Sequence, residues 1–216
     1  MAISLVISGL LVIIAYLLGS TPTGYLAGKY LQGIDIREHG SGSTGATNVL
    51  RTIGKKAAIA VLAIDLLKGA IAVLCVKLIY ISALGEVVPI DWQPWLITIT
   101  ALMAVIGHSK SVWLNFSGGK SVATSLGVLL VMNPVVALST LGTFGVMLAV
   151  SRIVSLSSIT GAVAVGISMI LLKQPTSYVI FGVLCGVYVI FRHQSNIQRL
   201  LAGTEPKIGQ KLSENA

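Results

Sequence analysis

Two glycine-rich polar stretches hold most of the side chains in this sequence that could do chemistry. The first runs Gly40-Ser-Gly-Ser-Thr-Gly-Ala-Thr-Asn48 and is followed by Val49, Leu50 and Arg51. Glycines at 40, 42 and 45 let the backbone approach a ligand closely. Its amides, the hydroxyls of Ser41, Ser43 and Thr47 and the Asn48 amide donate hydrogen bonds, and Arg51 supplies a forked cation. Such a set can cradle an anion. The glycines also fit Gly-x-Gly-x-x-Gly, but a dinucleotide fingerprint needs a preceding strand and a βαβ unit, and the flanks here are apolar blocks of helical length. The second stretch, Gly118-Gly119-Lys120-Ser121, leads into an apolar block. Free amides and the positive end of a helix dipole beside a lysine suit a phosphate. It is not a P-loop, because Leu114 stands where the first glycine of that motif belongs. Taken alone, the first stretch also fits a solvated loop and the second a tight turn.

Two smaller groups add to these. Ser155, Ser157 and Ser158 follow Arg152 and either line a polar pocket or cap a helix. Arg192-His193-Gln194-Ser195-Asn196 closes the last apolar block, with Arg199, Glu205 and Lys207 beyond it. At three-residue spacing, His193, Asn196 and Arg199 share a helical face, which would present a base, an amide and a cation together. Inside another apolar block, Asp65 and Lys68 are expected to form a structural ion pair, since a lone charge at a membrane helix centre costs about 2.5–3.5 kcal/mol. His39 and His108 lack the carboxylate or cysteine company of a metal site, so no metal is expected.

These residues must be positioned by elements that live in lipid. Of 216 residues, 55% are hydrophobic and 10% charged, against about 25% charged in soluble domains. Cys75 and Cys185 fall within apolar blocks and read as small buried hydrophobes. The net charge of +8 is spread through connecting loops, which favours anionic lipid or an anionic substrate over nucleic acid. The first block lacks a basic leader and a cleavage site and reads as a retained helix. Apolar blocks at roughly 3–28, 57–81, 92–107, 121–132, 135–150, 154–172 and 176–191 predict an all-α integral membrane protein of about seven transmembrane helices, with five as the alternative count, in one domain over residues 1–216. The fourth and fifth are short and divided only by Asn133 and Pro134, so they form a helical hairpin or one interrupted unit.

Orientation follows from the basic residues, which concentrate in cytoplasmic loops. With the N-terminus outside and the C-terminus cytoplasmic, Lys29, Arg37, Arg51, Lys55, Lys56, Lys110, Lys120, Arg152, Arg192, Arg199, Lys207 and Lys211 lie inside, while Lys173 and Lys77 lie outside. All four polar stretches then share the cytoplasmic face.

Together they resemble the bacterial acyl-phosphate:glycerol-3-phosphate acyltransferase family of the PlsY type. The resemblance covers nearly the whole chain and rests on GSTPTGY at 19–25, GSGSTGATNVLRTIGKKA at 40–57, DLLKG at 65–69, GHSKSVWLNFSGGKSVAT at 107–124 and RHQSNIQRLLAGTE at 192–205. One departure is Ser43, where the family usually carries Asn. The resemblance implies a plasma (inner) membrane enzyme without cofactor, acting at the cytoplasmic face. It would move an acyl group from acyl phosphate to the 1-hydroxyl of sn-glycerol 3-phosphate, giving lysophosphatidic acid and phosphate. A functional link to an acyl-phosphate-forming enzyme is implied in the same way.

Ser41, Arg51, Lys120, His193 and Asn196 are the expected catalytic residues. Gly40, Gly42, Ser43, Gly45, Thr47, Asn48, Gly118, Gly119, Ser155, Ser158 and Glu205 are the expected substrate-binding set. A His with an Asp five positions on, the dyad of another acyltransferase family, is missing: Thr44, Trp113 and Gln198 stand there. Proton removal therefore falls to His193 or to a substrate phosphate. A transporter would set its site at the bilayer midplane on broken helices, and a CDP-alcohol phosphotransferase needs clustered aspartates, whereas Asp35, Asp65 and Asp91 are scattered. A non-catalytic assembly factor is the third rival.

Overall fold

In lipid every backbone amide and carbonyl must be satisfied within the chain, which leaves the helix as the default for these apolar runs. The computed structural model describes residues 1–210; Lys211, one of the basic residues used for orientation, lies outside them. Its ten α-helices are α1 (Ala2–Ser20), α2 (Thr23–Gln32), α3 (Ala46–Thr52), α4 (Lys55–Ile81), α5 (Gln93–Ser109), α6 (Val122–Met132), α7 (Pro134–Ser151), α8 (Val154–Leu171), α9 (Thr176–Arg192) and α10 (Gln194–Leu201).

The expected first span breaks in two at Thr21-Pro22. Proline has no amide hydrogen and crowds the carbonyl four residues back, while the residue before it is driven to extended backbone; Thr21 sits at φ −52, ψ 115. The break is held by the Asp65–Lys68 pair. Lys68 Nζ lies 2.9 Å from Asp65 Oδ1 and donates to the Thr21 carbonyl at 3.0 Å, and Thr23 Oγ1 donates to Asp65 Oδ1. The ion pair expected from sequence is therefore present and has a structural task.

Among the described residues five stretches are long and apolar enough to cross a membrane: Ala2–Gln32, Lys55–Ile81, Ile90–Ser109, Pro134–Ser151 and Val154–Leu171. A sixth is reached if α9 and α10 count as one span across their 60° bend. The expected fourth span falls short. With 11 residues, α6 is roughly 16 Å long, about half the hydrocarbon thickness, because the Gly118-Gly119 turn precedes it and Asn133 and Pro134 end it. It packs tightly on α4. A Cβ at Gly69 would overlap the Thr124 carbonyl, and one at Gly127 the Leu66 carbonyl, the small-residue contact that brings membrane helices together.

The bundle has two distinct ends. At one, Ser4 Oγ donates to the Val87 carbonyl (2.8 Å), Lys77 Nζ to Val131 (2.5 Å) and Asn133 Nδ2 to Gln174 Oε1 (2.6 Å). At the other, Ser111 Oγ reaches the Ser20 carbonyl (2.5 Å), Tyr16 Oη reaches Lys110 (2.8 Å), and the Ile208 amide donates to Arg152 (2.7 Å). The beginning and the end of the described chain thus sit at opposite ends. Outward faces are apolar, with Leu138, Val146 and Val150 of α7 all exposed.

Candidate active site

At the second end, α3 to α10 and the loop before α3 contribute residues to the wall of a cavity of about 310 Å³. Its walls are mostly apolar, with Leu62, Leu126, Leu129, Phe144 and Val165 among them, and its polar groups include Arg51, Lys120, His193, Asn196 and Glu205. An apolar chamber with a few convergent polar groups is the usual form of a small-molecule site.

The first glycine-rich stretch forms one wall. Gly40 and Gly42 adopt φ +59 and +65, a left-handed backbone open to glycine at no steric cost. The loop is locked by Asn48, whose Nδ2 donates to the carbonyls of Ile36 (3.1 Å), His39 (2.9 Å) and Ser43 (2.9 Å), while its Oδ1 accepts the Ser41 amide (2.9 Å). The Asn48 side chain is wholly committed to the loop. Ser41, Ser43, Gly45, Thr47 and Arg51 line the cavity, as does Asn48 itself. Gly40 and Gly42 are not on that wall; they shape the turn behind it.

Gly118 and Gly119, expected to offer free amides, do not line the cavity, and the Gly119 amide is engaged. The Gly119 amide donates to the His108 carbonyl (3.2 Å), and both glycine carbonyls accept from Arg192 Nη2 (3.2 Å each). A Cβ on Gly119 would overlap the His108 imidazole. The pair is packed beneath two side chains and delivers Lys120, Ser121, Val122 and Ala123 to the cavity wall.

Lys120 opens a chain of hydrogen bonds. Its Nζ donates to Asn196 Oδ1. Asn196 Nδ2 donates to Glu205 Oε1 (2.6 Å), which also accepts Ser155 Oγ (2.7 Å), while Glu205 Oε2 accepts Arg199 Nε (2.7 Å). Burial raises the Glu205 carboxyl, but the bonds from Ser155, Asn196 and Arg199 outweigh it and hold the group below its ordinary range. It therefore stays anionic and fixes Asn196 and Ser155. Burial, and then the nearby Arg199 cation, push the Lys120 ammonium down to about 8.

Arg199 is neutralised by Glu205. Lys120 and Arg51 have no carboxylate within ion-pair distance among the described residues, and both line the cavity. Two uncompensated cations on one wall call for an anionic guest. His193 sits at the bend between α9 and α10, 3% exposed. Its Nδ1 lies 2.7 Å from the Val189 carbonyl, so Nδ1 carries the proton and Nε2 is the basic nitrogen.

The α8 serines split. Ser155 joins the Glu205 network, whereas Ser157 and Ser158 bond back to the carbonyls of Ile153 (2.8 Å) and Val154 (2.9 Å). None caps the helix, whose N-cap is Ile153, and Ser155 and Ser158 line the cavity. Among the lining residues without an expected substrate contact are two ionisable ones, Asp65 and His108. His108 is buried in the last turn of α5, and its Nδ1 lies 3.5 Å from Asp65 Oδ1. It does have carboxylate company, contrary to expectation. The available signal was the charge of Asp65 inside an apolar block.

A family model described as Glycerol-3-phosphate acyltransferase matches residues 9–203. The chain is 65% identical over 210 residues to the glycerol-3-phosphate acyltransferase of Rippkaea orientalis, covering 97% of each, and 63% identical over 208 residues to that of Crocosphaera subtropica, covering 96% of this chain and 97% of the relative. Its fold is similar to the crystal structure of PlsY, an integral membrane glycerol 3-phosphate acyltransferase, in its glycerol 3-phosphate form. The TM-score is 0.83 at 39% identity, over 94% of this chain and 96% of that one. The lysophosphatidic acid form of PlsY superposes with a TM-score of 0.80 at 38% identity, over 94% and 95%.

Proposed function

From the premise that this chain belongs to the glycerol-3-phosphate acyltransferase family and is a multi-pass membrane acyltransferase, we propose that it takes its acyl group from acyl phosphate. The acceptor is the 1-hydroxyl of sn-glycerol 3-phosphate, and the products are lysophosphatidic acid and inorganic phosphate. The observation that carries this reading is the pair of uncompensated cations, Arg51 and Lys120, on the wall of a largely apolar cavity. Both substrates bear phosphate, and the donor also bears a chain suited to apolar walls.

In the proposed reaction the acceptor hydroxyl oxygen attacks the acyl carbonyl carbon, and the bond from that carbon to the phosphate oxygen breaks. The hydroxyl proton passes to His193 Nε2, whose partner nitrogen is tied to Val189; the departing phosphate is the alternative acceptor. Lys120 and Arg51 hold the acceptor's phosphate and, from beside it, offset the charge that grows on the leaving phosphate, with Ser41 and the loop amides around it. Preorganised donors of this kind are worth about 10²–10³-fold each. Asn48 acts by holding that loop, and Asn196, fixed by Glu205, orients Lys120. An acyl phosphate is already activated, so positioning supplies most of the remaining acceleration.

For the membrane we propose seven crossings, with the N-terminus outside and the site at the cytoplasmic face of the plasma membrane. Supporting this are the opposite placement of Ser4 and Ile208 and the reach of the α6 segment. Lys120 bonds Asn196 at the site end, and Val131 accepts Lys77 at the other. The test is product formation by the purified protein given glycerol 3-phosphate with palmitoyl phosphate or with palmitoyl-CoA. Lysophosphatidic acid and phosphate formed one to one from the acyl phosphate alone support the reading; turnover with palmitoyl-CoA alone contradicts it.

A further inference from the structure

Glycerol 3-phosphate is more than a phosphate: it carries two hydroxyl donors, of which only one reacts. A site for it needs cations at one place and hydrogen-bond acceptors at another. The cations are Arg51 and Lys120. Carboxylate and amide acceptors are scarcer, because most of those oxygens on the cavity wall are already engaged. Glu205 Oε1 takes Asn196 and Ser155, and Oε2 takes Arg199. Asn196 Oδ1 takes Lys120, and Asn48 Oδ1 takes the Ser41 amide. His193 Nε2 is one basic atom left, and the proposed reaction uses it.

Asp65 is the other. It is 1% exposed yet lines the cavity. Its protein neighbours all gather on one oxygen: Lys68 Nζ at 2.9 Å, Thr23 Oγ1, and His108 Nδ1 at 3.5 Å meet Oδ1. Oδ2 receives no hydrogen bond from the described residues. The surrounding cluster is rigid, because Lys68 is also bound to the Thr21 carbonyl and the buried imidazole of His108 is wedged against Gly119. His108 Nδ1 is itself without a hydrogen-bond partner, as in a polar cluster short of one member.

We propose that Asp65 is a substrate-binding residue, and that its Oδ2 accepts the hydrogen bond of the acceptor's non-reacting 2-hydroxyl. The Lys68 partner leaves the pair neutral overall, so the carboxylate does not repel a phosphate held by Arg51 and Lys120. This assignment rests on the acyl-transfer reading above. It gives the cavity two poles, one for phosphate and one for a hydroxyl.

The test uses a substrate that lacks only the 2-hydroxyl, propane-1,3-diol monophosphate, which keeps the reacting hydroxyl and the phosphate. With palmitoyl phosphate as donor, the wild-type protein is expected to use it with kcat/KM lower than for glycerol 3-phosphate by roughly 10- to 100-fold, the effect of leaving a buried charged acceptor unpaired. In Asp65→Asn the two substrates should fall within about 3-fold of each other, because the variant loses most on the substrate that has the hydroxyl. Since Asp65→Asn strands a buried lysine, the double variant Asp65→Asn/Lys68→Gln is measured beside it and should show the same collapse. A purely structural role for Asp65 would slow both substrates alike. An unchanged ratio in the variants, or equal use of the two substrates by the wild type, overturns the assignment while the acyl-transfer reading stands. Absence of product from glycerol 3-phosphate with the wild type overturns both.

Discussion

The two glycine-rich stretches look alike in sequence and serve different ends in the structure. Between Gly40 and Asn48 glycine is present for its backbone, since positive φ at Gly40 and Gly42 turns the chain so that Ser41, Ser43 and Gly45 face the cavity. At Gly119 it is present for lack of a side chain, since the His108 imidazole occupies the space a Cβ would need. The first stretch contributes its own atoms to the wall, and the second is a hinge that carries Lys120. A glycine motif beside a helix N-terminus is therefore an anion site only if its amides are free, and Gly119 spends its amide on the His108 carbonyl.

Four measurements press on that contrast. The largest effect is expected at the residue the second stretch delivers: Lys120→Ala should lower kcat by about 10²–10³-fold with the fold intact, measured as phosphate release at saturating substrates. Next, Gly119→Ala should destabilise the protein by about 1–3 kcal/mol through overpacking, seen as a lowered melting temperature in detergent. By contrast Gly45→Ala, with φ −78 and only Ser43 Oγ within reach at 3.5 Å, should leave melting unchanged and raise KM a few-fold. Equal behaviour of the two variants would erase the distinction.

The third measurement is the pH dependence. A lysine is cationic below its pKa, so with Lys120 near 8 the free-enzyme kcat/KM should fall as pH rises through about 8. It should rise at the acid side as the substrate phosphate ionises near pH 6. Lys120→Arg, always protonated, should remove the alkaline limb. The smallest effect is at Ser157→Ala, whose hydroxyl only bonds back to Ile153 within its own helix; activity and melting should both stay near wild type.

Much of the fold is legible in the sequence because lipid imposes it. Long uncharged runs admit one secondary structure, and the positions of Arg and Lys order the loops. What local pattern hides is where helices stop and what they touch. The Thr21-Pro22 break is invisible to a hydropathy count that averages over it, and the shortness of α6 is set by turn residues on either side. In the site, Arg51, Lys120, His193 and Asn196 are legible as polar side chains where a bare linker would serve. The meeting of Lys120, Asn196, Glu205 and Ser155 is not, because it joins residues 76 and 50 positions apart through side-chain geometry. The cavity-facing carboxylate of Asp65 escapes for a different reason: a charge in an apolar run with a partner three residues on is fully explained as an ion pair, until the second oxygen is counted.

The central claim is that the wall bearing Arg51 and Lys120 holds substrate phosphate while His193 meets the reacting hydroxyl. A crystal structure of this protein with glycerol 3-phosphate tests it most directly. The account predicts phosphate oxygens within hydrogen-bond reach of Arg51 and Lys120, and the 1-hydroxyl on His193 Nε2. Phosphate bound away from both cations would contradict it.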